Sequence, residues 1–173
     1  DEGIGIVQST IEFTDTLFYG FGSESGGLGG IGGSTGLIQG CTFRSCYAVD
    51  EGACLSVGGG CILLTGCLFE GNSSNGIGAL VLWGNHAVVD TVFRGNHCGR
   101  GSALICGGGA SVRFCSFIDN VADDWSLWPG NGVGAGVLGD GTTVIQDSLF
   151  LNNTVIGGAA AGELPSIADK TAD

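Results

Sequence analysis

One aromatic position recurs along this chain about every 24 residues, and that recurrence restricts the fold more than any other feature. Aligned on it, the segments are CTFRSC (41–46), CLFEGN (67–72), TVFRGN (91–96), CSFIDN (115–120) and SLFLNN (148–153), preceded by a degenerate STIEFT (9–14). The anchors are then Ile11, Phe43, Phe69, Phe93, Phe117 and Phe150, separated by 32, 26, 24, 24 and 33 residues. A second apolar run precedes the later anchors: ACLSV (53–57), ALVLW (79–83), ALICG (103–107) and GVLGD (136–140), each led in by glycine. The runs are too short for amphipathic helices and are punctuated by glycines and β-branched residues, so each unit is a set of short strands joined by tight turns.

A unit of this size cannot bury its own apolar face, whereas stacked copies bury a continuous core, strand pairing in parallel with strand. The expected fold is therefore all-β: a single-stranded parallel β-helix of about six coils over residues 1–163, with insertions at 19–36 and 123–131 and a C-terminal tail at 164–173. An antiparallel sandwich or barrel would leave the repeat unexplained. The 36 glycines among 173 residues suit the turns such a solenoid requires.

Three residues beyond the anchors stand Asn72, Asn96, Asn120 and Asn153, with Thr14 and Cys46 in the same slot elsewhere. At fixed register these asparagines are expected to stack and pass amide hydrogen bonds from coil to coil. The residue before the slot is Gly71, Gly95, Asp119 or Asn152, types that tolerate a left-handed turn.

F-E-G-N, F-R-G-N, F-I-D-N and F-L-N-N resemble the F-x-x-N repeats of chlamydial polymorphic outer membrane proteins, and G-I-G-A-L and G-R-G-S-A-L resemble their companion G-G-A-[ILV] motif. The resemblance spans roughly residues 5–160. It implies a right-handed β-helix of the pectin-lyase-like superfamily, displayed as a surface-exposed passenger. That superfamily holds adhesins, coat proteins and polysaccharide-cleaving enzymes alike, so the resemblance implies fold more than function. Several G-G-A copies here are degenerate, and no membrane barrel follows.

Charge narrows the partners. Seventeen acids against five bases give a net charge of −12, which excludes nucleic acid and anionic membrane surfaces as natural partners. No apolar stretch is long enough to insert in a bilayer. Eight cysteines without a Cys-x-x-Cys pair point to an oxidising, extracellular setting with disulfides rather than to zinc. Cys41 and Cys67 share a slot in adjacent coils, and Cys46–Cys54 and Cys98–Cys106 are each eight residues apart across a turn. Cys61 and Cys115 have no evident mate, and at least one is expected to be a buried free thiol. Sequons at Asn72 and Asn152 agree with secretion, with Asn152 the better glycan acceptor because Asn72 falls in the ladder slot. No charged-then-apolar leader is visible, so the chain reads as a mature or excised piece.

No carboxylate pair gathers on the apolar strands, so no enzyme is expected and no cofactor is required. Asp119, Asp123 and Asp124 are the one candidate calcium group, read by preference as a solvated acidic turn. His86 and His97 are read as solvated turn residues. Trp125 and Trp128 in DDWSLWPGN, together with Trp83, are candidates for a partner or glycan surface. Leu80 and Leu82 alternate with Ala79, Val81 and Trp83, and Leu68, Val92 and Leu149 flank the anchors, which leaves apolar residues on both faces of the strands. An exposed apolar face marks an interaction surface. The expected function is a structural protein that self-assembles, side by side or end to end, into a surface coat, appendage or filament. The alternative is an adhesin or carbohydrate-binding domain using the tryptophans. A polysaccharide-active enzyme and an ice-binding protein rank behind these, the latter because outward threonines are few.

Overall fold

A computed structural model describes residues 6–23, 30–49, 52–99, 103–123, 135–139, 142–156 and 167–169. Four sheets form from one repeating path. The first contains Ile6–Val7, Gly30–Gly32, Leu55–Gly58, Leu80–Trp83, Leu104–Gly107, Val137–Gly139 and Ile167–Asp169; the second begins with Thr10–Thr14 and ends with Val144–Gln146. The third, from Leu17–Tyr19 to Leu149–Leu151, carries the phenylalanine anchors, and the fourth runs from Gly22–Ser23 to Thr154–Ile156. Each strand pairs in parallel with its counterpart one turn earlier and one turn later, as in Phe43↔Phe69↔Phe93↔Phe117↔Phe150. The chain is a parallel β-helix, and each level contributes one strand to each sheet.

The core follows from period-2 alternation. In the third sheet Phe43, Phe69, Phe93 and Phe117 are wholly buried, and their flanking residues point away from the core. Parallel stacking puts like on like, so the rings form a column running from Phe18 to Phe150 with centroids 4.5–4.9 Å apart and planes within 13°. That spacing is the inter-strand distance itself, within the range where offset aromatic stacking is favourable.

Two corners are built identically at every level. Between the second and third sheets, one residue turns left-handed: Asp15, Gly40, Gly66, Asp90, Phe114 and Asp147. Between the third and fourth the same role falls to Gly20, Ser45, Gly71, Gly95, Asp119 and Asn152. Glycine, Asp and Asn adopt this region at little cost, so the sequence puts them there. Phe114, with φ 54, is the bulky exception. The corner after the first sheet is tighter still: a Cβ on Gly60, at φ 75, would lie 1.9 Å from the Ser34 carbonyl oxygen.

Several expectations are corrected here. The first anchor is Phe18, paired with Phe43, not Ile11, which pairs with Gly36 in the second sheet. Thr14 therefore leaves the asparagine slot, and Phe21 takes it. Within the expected insertion at 19–36, the described residues supply ordinary paired strands at Gly22–Ser23 and Gly30–Gly32, and residues 24–29 lie outside the described residues. The tail is not wholly outside the helix, since Ile167–Asp169 pairs with Val137–Gly139 as a seventh strand of the first sheet. The other insertion, apart from Asp123 itself, lies outside the described residues.

Candidate functional site

The asparagine slot is the most organised polar feature. In the middle levels the corner turns the side chain inward, where water cannot reach: Asn72, Asn96 and Asn120 are at most 1% exposed. Each Nδ2 donates to the carbonyl of the anchor one level earlier, as from Asn72 to Phe43, Asn96 to Phe69, Asn120 to Phe93 and Asn153 to Phe117, at 2.8–3.0 Å. It also donates to the next asparagine's Oδ1, at 2.9 Å for Asn72→Asn96 and Asn96→Asn120 and 2.8 Å for Asn120→Asn153. That Oδ1 takes a second bond from the backbone N–H of the preceding slot residue, beginning with Cys46 N–H to Asn72 Oδ1 at 2.9 Å. The expected ladder is thus one directed chain of amides from Cys46 to Asn153. An amide whose polar atoms are all engaged removes the cost of burying it.

A second column stands at the other corner, one residue past the left-handed turn. Thr16, Thr91 and Ser148 each donate a hydroxyl to the carbonyl two residues earlier, at 2.8–3.0 Å. Cys41, Cys67 and Cys115 do the same with their thiols, and each also reaches a carbonyl one level earlier. Thiol and hydroxyl are interchangeable in this position because either closes the same short turn. Cys41 and Cys67 occupy adjacent levels, as expected, and burial pushes the Cys67 thiol up to about 11. Cys115 is buried and Cys61 is exposed, at the end of an outward column with Thr10 and Thr35. Cys98 and Cys106 are buried in the fourth and first sheets respectively, and all eight cysteines are thiols in this structure.

Of the two histidines expected to be solvated, His86 is not. His86 is 1% exposed, and its Nδ1 accepts the Ile62 N–H at 3.1 Å. The ring proton therefore sits on Nε2, which is buried and makes no hydrogen bond. Burial lowers the pKa of His86, and the backbone at Trp83 offsets part of this without closing a hydrogen bond to Nε2. His97 is exposed and meets Asp123 at 3.0 Å. Of the calcium candidates, Asp123 is thereby engaged, Asp119 forms a corner, and Asp124 lies outside the described residues. Among the described residues no group of three or more His, Cys, Asp or Glu is placed to hold a metal. Asp90 and Asp147 share one corner column with Asp15, with Phe114 between them at the intervening level.

Outside, the expected two-sided apolarity resolves differently from sheet to sheet. Val81 and Ile105 alternate with core residues of the first sheet yet are at most 2% exposed. The turn into that sheet lies over them, since a Cβ on Gly78 would be 3.2 Å from Val81 Cγ2 and 3.5 Å from Ile105 Cγ1. That face, with Ala79, is not an open surface. Trp83 is 42% exposed, and its column neighbours are Gly58 and Gly107. Trp125 and Trp128 lie outside the described residues. On the third sheet Leu68 and Val92 are half-buried, and Arg44, Glu70 and Arg94 form a charge ladder across three levels. The two guanidiniums, Arg94 foremost, hold the Glu70 carboxyl below its usual range. At both ends the same outer columns turn apolar: Leu17 is 61% and Tyr19 64% exposed, and Leu149 and Leu151 are 52% and 46% exposed.

No curated protein and no solved structure matches this chain. Comparison with family models matches residues 1–155 to the right-handed beta helix region, in keeping with the four parallel sheets. Because the match takes in every strand of the described levels except Ile156 and the seventh strand of the first sheet, the chain belongs to the right-handed β-helix family.

Proposed function

We propose that this chain is a non-enzymatic, extracellular structural protein that self-associates through the apolar outer columns of its terminal levels. One contrast carries the reading: the third sheet shows Arg44–Glu70–Arg94 in the middle and Leu17, Tyr19, Leu149 and Leu151 at its two ends. A solenoid in water normally keeps such outward positions polar, and clustered apolar side chains mark an association surface. The F-x-x-N resemblance supports surface display, and the cysteine content supports an oxidising compartment. Size-exclusion chromatography with light scattering tests it. Concentration-dependent oligomers are expected, and Leu149→Asp with Leu151→Lys should disperse them. A monomer at millimolar concentration overturns the reading.

A second reading has one observation in its favour. Trp83 stands exposed between Gly58 and Gly107, and a Cβ on Gly58 would meet nothing within 4 Å, so the indole overlooks an open shelf. A flat aromatic face beside open backbone suits the apolar face of a pyranose ring. Glycan-array binding that Trp83→Ala abolishes would establish this reading; an array without hits removes it.

A further inference from the structure

The outer face of the third sheet carries two columns, and each matches itself when read in reverse. One runs Leu17, Thr42, Leu68, Val92, Ser116, Leu149 from the first level to the last. It is apolar at both ends and in the centre, with a hydroxyl between on each side. The other runs Tyr19, Arg44, Glu70, Arg94, Ile118, Leu151, with opposite charges at its two central positions. Glu70 pairs within the chain with Arg44 and Arg94, yet those arginines remain 48% and 55% exposed, so a second carboxylate can reach them.

A second copy, turned end for end about a two-fold axis along the strands, sets the first level of one chain against the last of the other. Each column then faces itself. Leu17 meets Leu149, Tyr19 meets Leu151, and Leu68 meets Val92. Thr42 lies opposite Ser116, and the aliphatic stem of Arg44 lies over Ile118 while its head reaches the rim. At the centre Glu70 lies opposite Arg94, twice by symmetry. The other face-to-face arrangement, with both chains pointing the same way, crosses the columns. It sets Glu70 against Leu68 and Arg94 against Val92, which desolvates charges on apolar side chains. Charge and apolar matching thus select the same arrangement. Asp15 and Asp147, exposed at the flanking corner, meet only across the rim, where solvent screens like charges.

We propose that the protein forms a closed homodimer through the outer face of its third sheet, with the two helix axes antiparallel. The proposal rests on the self-association reading above and supplies its geometry. A patch that is its own partner closes at two copies instead of growing into a fibre. Six levels at about 4.8 Å make the face on the order of 25 Å long, and it is only two columns wide. The contact therefore belongs at the small, weak end of specific interfaces.

Two charge variants and one cross-link test it. Glu70→Arg places like positive charges at the centre of the dimer, and Arg94→Glu places like negative ones there. In sedimentation equilibrium each variant alone should associate at least about tenfold more weakly than wild type. An equimolar mixture of the two should dimerise, because position 70 of one then opposes the opposite charge at position 94 of the other. Orientation is read on an otherwise wild-type chain carrying a photo-reactive benzoylphenylalanine in place of Tyr19. Trypsin separates residues 1–44 from 114–170, and irradiation should join these two peptides. Within one chain positions 19 and 151 are five levels, about 24 Å, apart, so only a reversed second copy produces that link. The cross-link decides the matter even if a charge variant does not fold. A link between two copies of 1–44, or none in a sample that is dimeric, overturns the proposal. So do species larger than a dimer, single variants that associate as wild type does, and folded variants that stay apart when mixed. All of these leave self-association itself standing; a wild-type chain that is monomeric throughout removes both.

Discussion

Replacing Asn96 by Ala removes the middle of the amide chain. Its Oδ1 accepts the Asn72 N–H at 3.1 Å and Nδ2 at 2.9 Å, while its Nδ2 donates to the Phe69 carbonyl at 3.0 Å and the Asn120 Oδ1 at 2.9 Å. After truncation the buried Asn72 N–H has no acceptor, which costs about 1–3 kcal/mol, and the lost amide donations add about 0.5–1.5 kcal/mol each. Asn96→Ala should therefore destabilise by about 3–5 kcal/mol. Asn153 makes similar bonds but is half-buried, so water replaces part of what is lost, and Asn153→Ala should cost about 1–2 kcal/mol. Asn96→Asp sharpens the test, because it swaps the donating NH2 for an oxygen that faces two acceptors. Its carboxyl would titrate well above the usual range in the fold. The penalty is therefore greatest above that raised pKa and eases as pH falls through it. Urea unfolding followed by far-ultraviolet circular dichroism measures all three. If Asn96→Ala lies within about 1 kcal/mol of wild type, or Asn96→Asp is no worse than Asn96→Ala at neutral pH, the ladder is not the directed, fully satisfied chain described above.

Phe114→Asn should stabilise the protein by about 1 kcal/mol, since Asn tolerates the left-handed corner and the Phe114 ring is mostly exposed; a loss of stability in thermal unfolding would show that the ring makes a contact that matters. His86 is a base whose folded pKa lies below its ordinary value, so the unfolded chain binds the extra proton first, and stability should fall as pH drops through about 6.5. His86→Asn, which keeps an acceptor for the Ile62 N–H, should flatten that part of the pH–stability profile, and an unchanged slope would assign the titration elsewhere. In a glycosylating host Asn152, exposed at its corner, should carry the glycan and Asn72, buried in the ladder, should not; glycopeptide mapping showing the reverse would mean the two side chains are turned the other way.

The repeat was legible because parallel stacking copies one residue type up a column, so Phe43, Phe69, Phe93 and Phe117 announce themselves at steps of 26, 24 and 24 residues. The first level was not, because it lacks the asparagine: Phe21 fills that slot, and STIEFT offered a closer superficial match. The better signal was DTLFYG (15–20) against DTVFRG (90–95), which aligns Phe18 and restores a 25-residue step to Phe43. The thiol–hydroxyl column was also visible two residues before each anchor, as Thr16, Cys41, Cys67, Thr91, Cys115 and Ser148. It becomes meaningful only once the turn shows what thiol and hydroxyl have in common. The burial of His86 and the covering of Val81 had no sequence signal, since both depend on how a turn folds back over its neighbours.

The two invariant corners decide where this molecule can accept change. Between the second and third sheets, and between the third and fourth, two residues intervene at every level, one left-handed and, except at Phe21, one in a bonded column. An added residue there would break the thiol–hydroxyl column or the amide chain and shift the neighbouring strands out of phase. The join from the fourth sheet to the next level obeys no such rule: five residues separate Cys98 from Leu104, and thirteen separate Asp123 from Val137. One edge of the solenoid is thus a spine that sets pitch, and the opposite edge is free to lengthen. New segments, whether supplied by evolution or by a designer, can be grafted at these joins, one per level, along a line parallel to the helix axis.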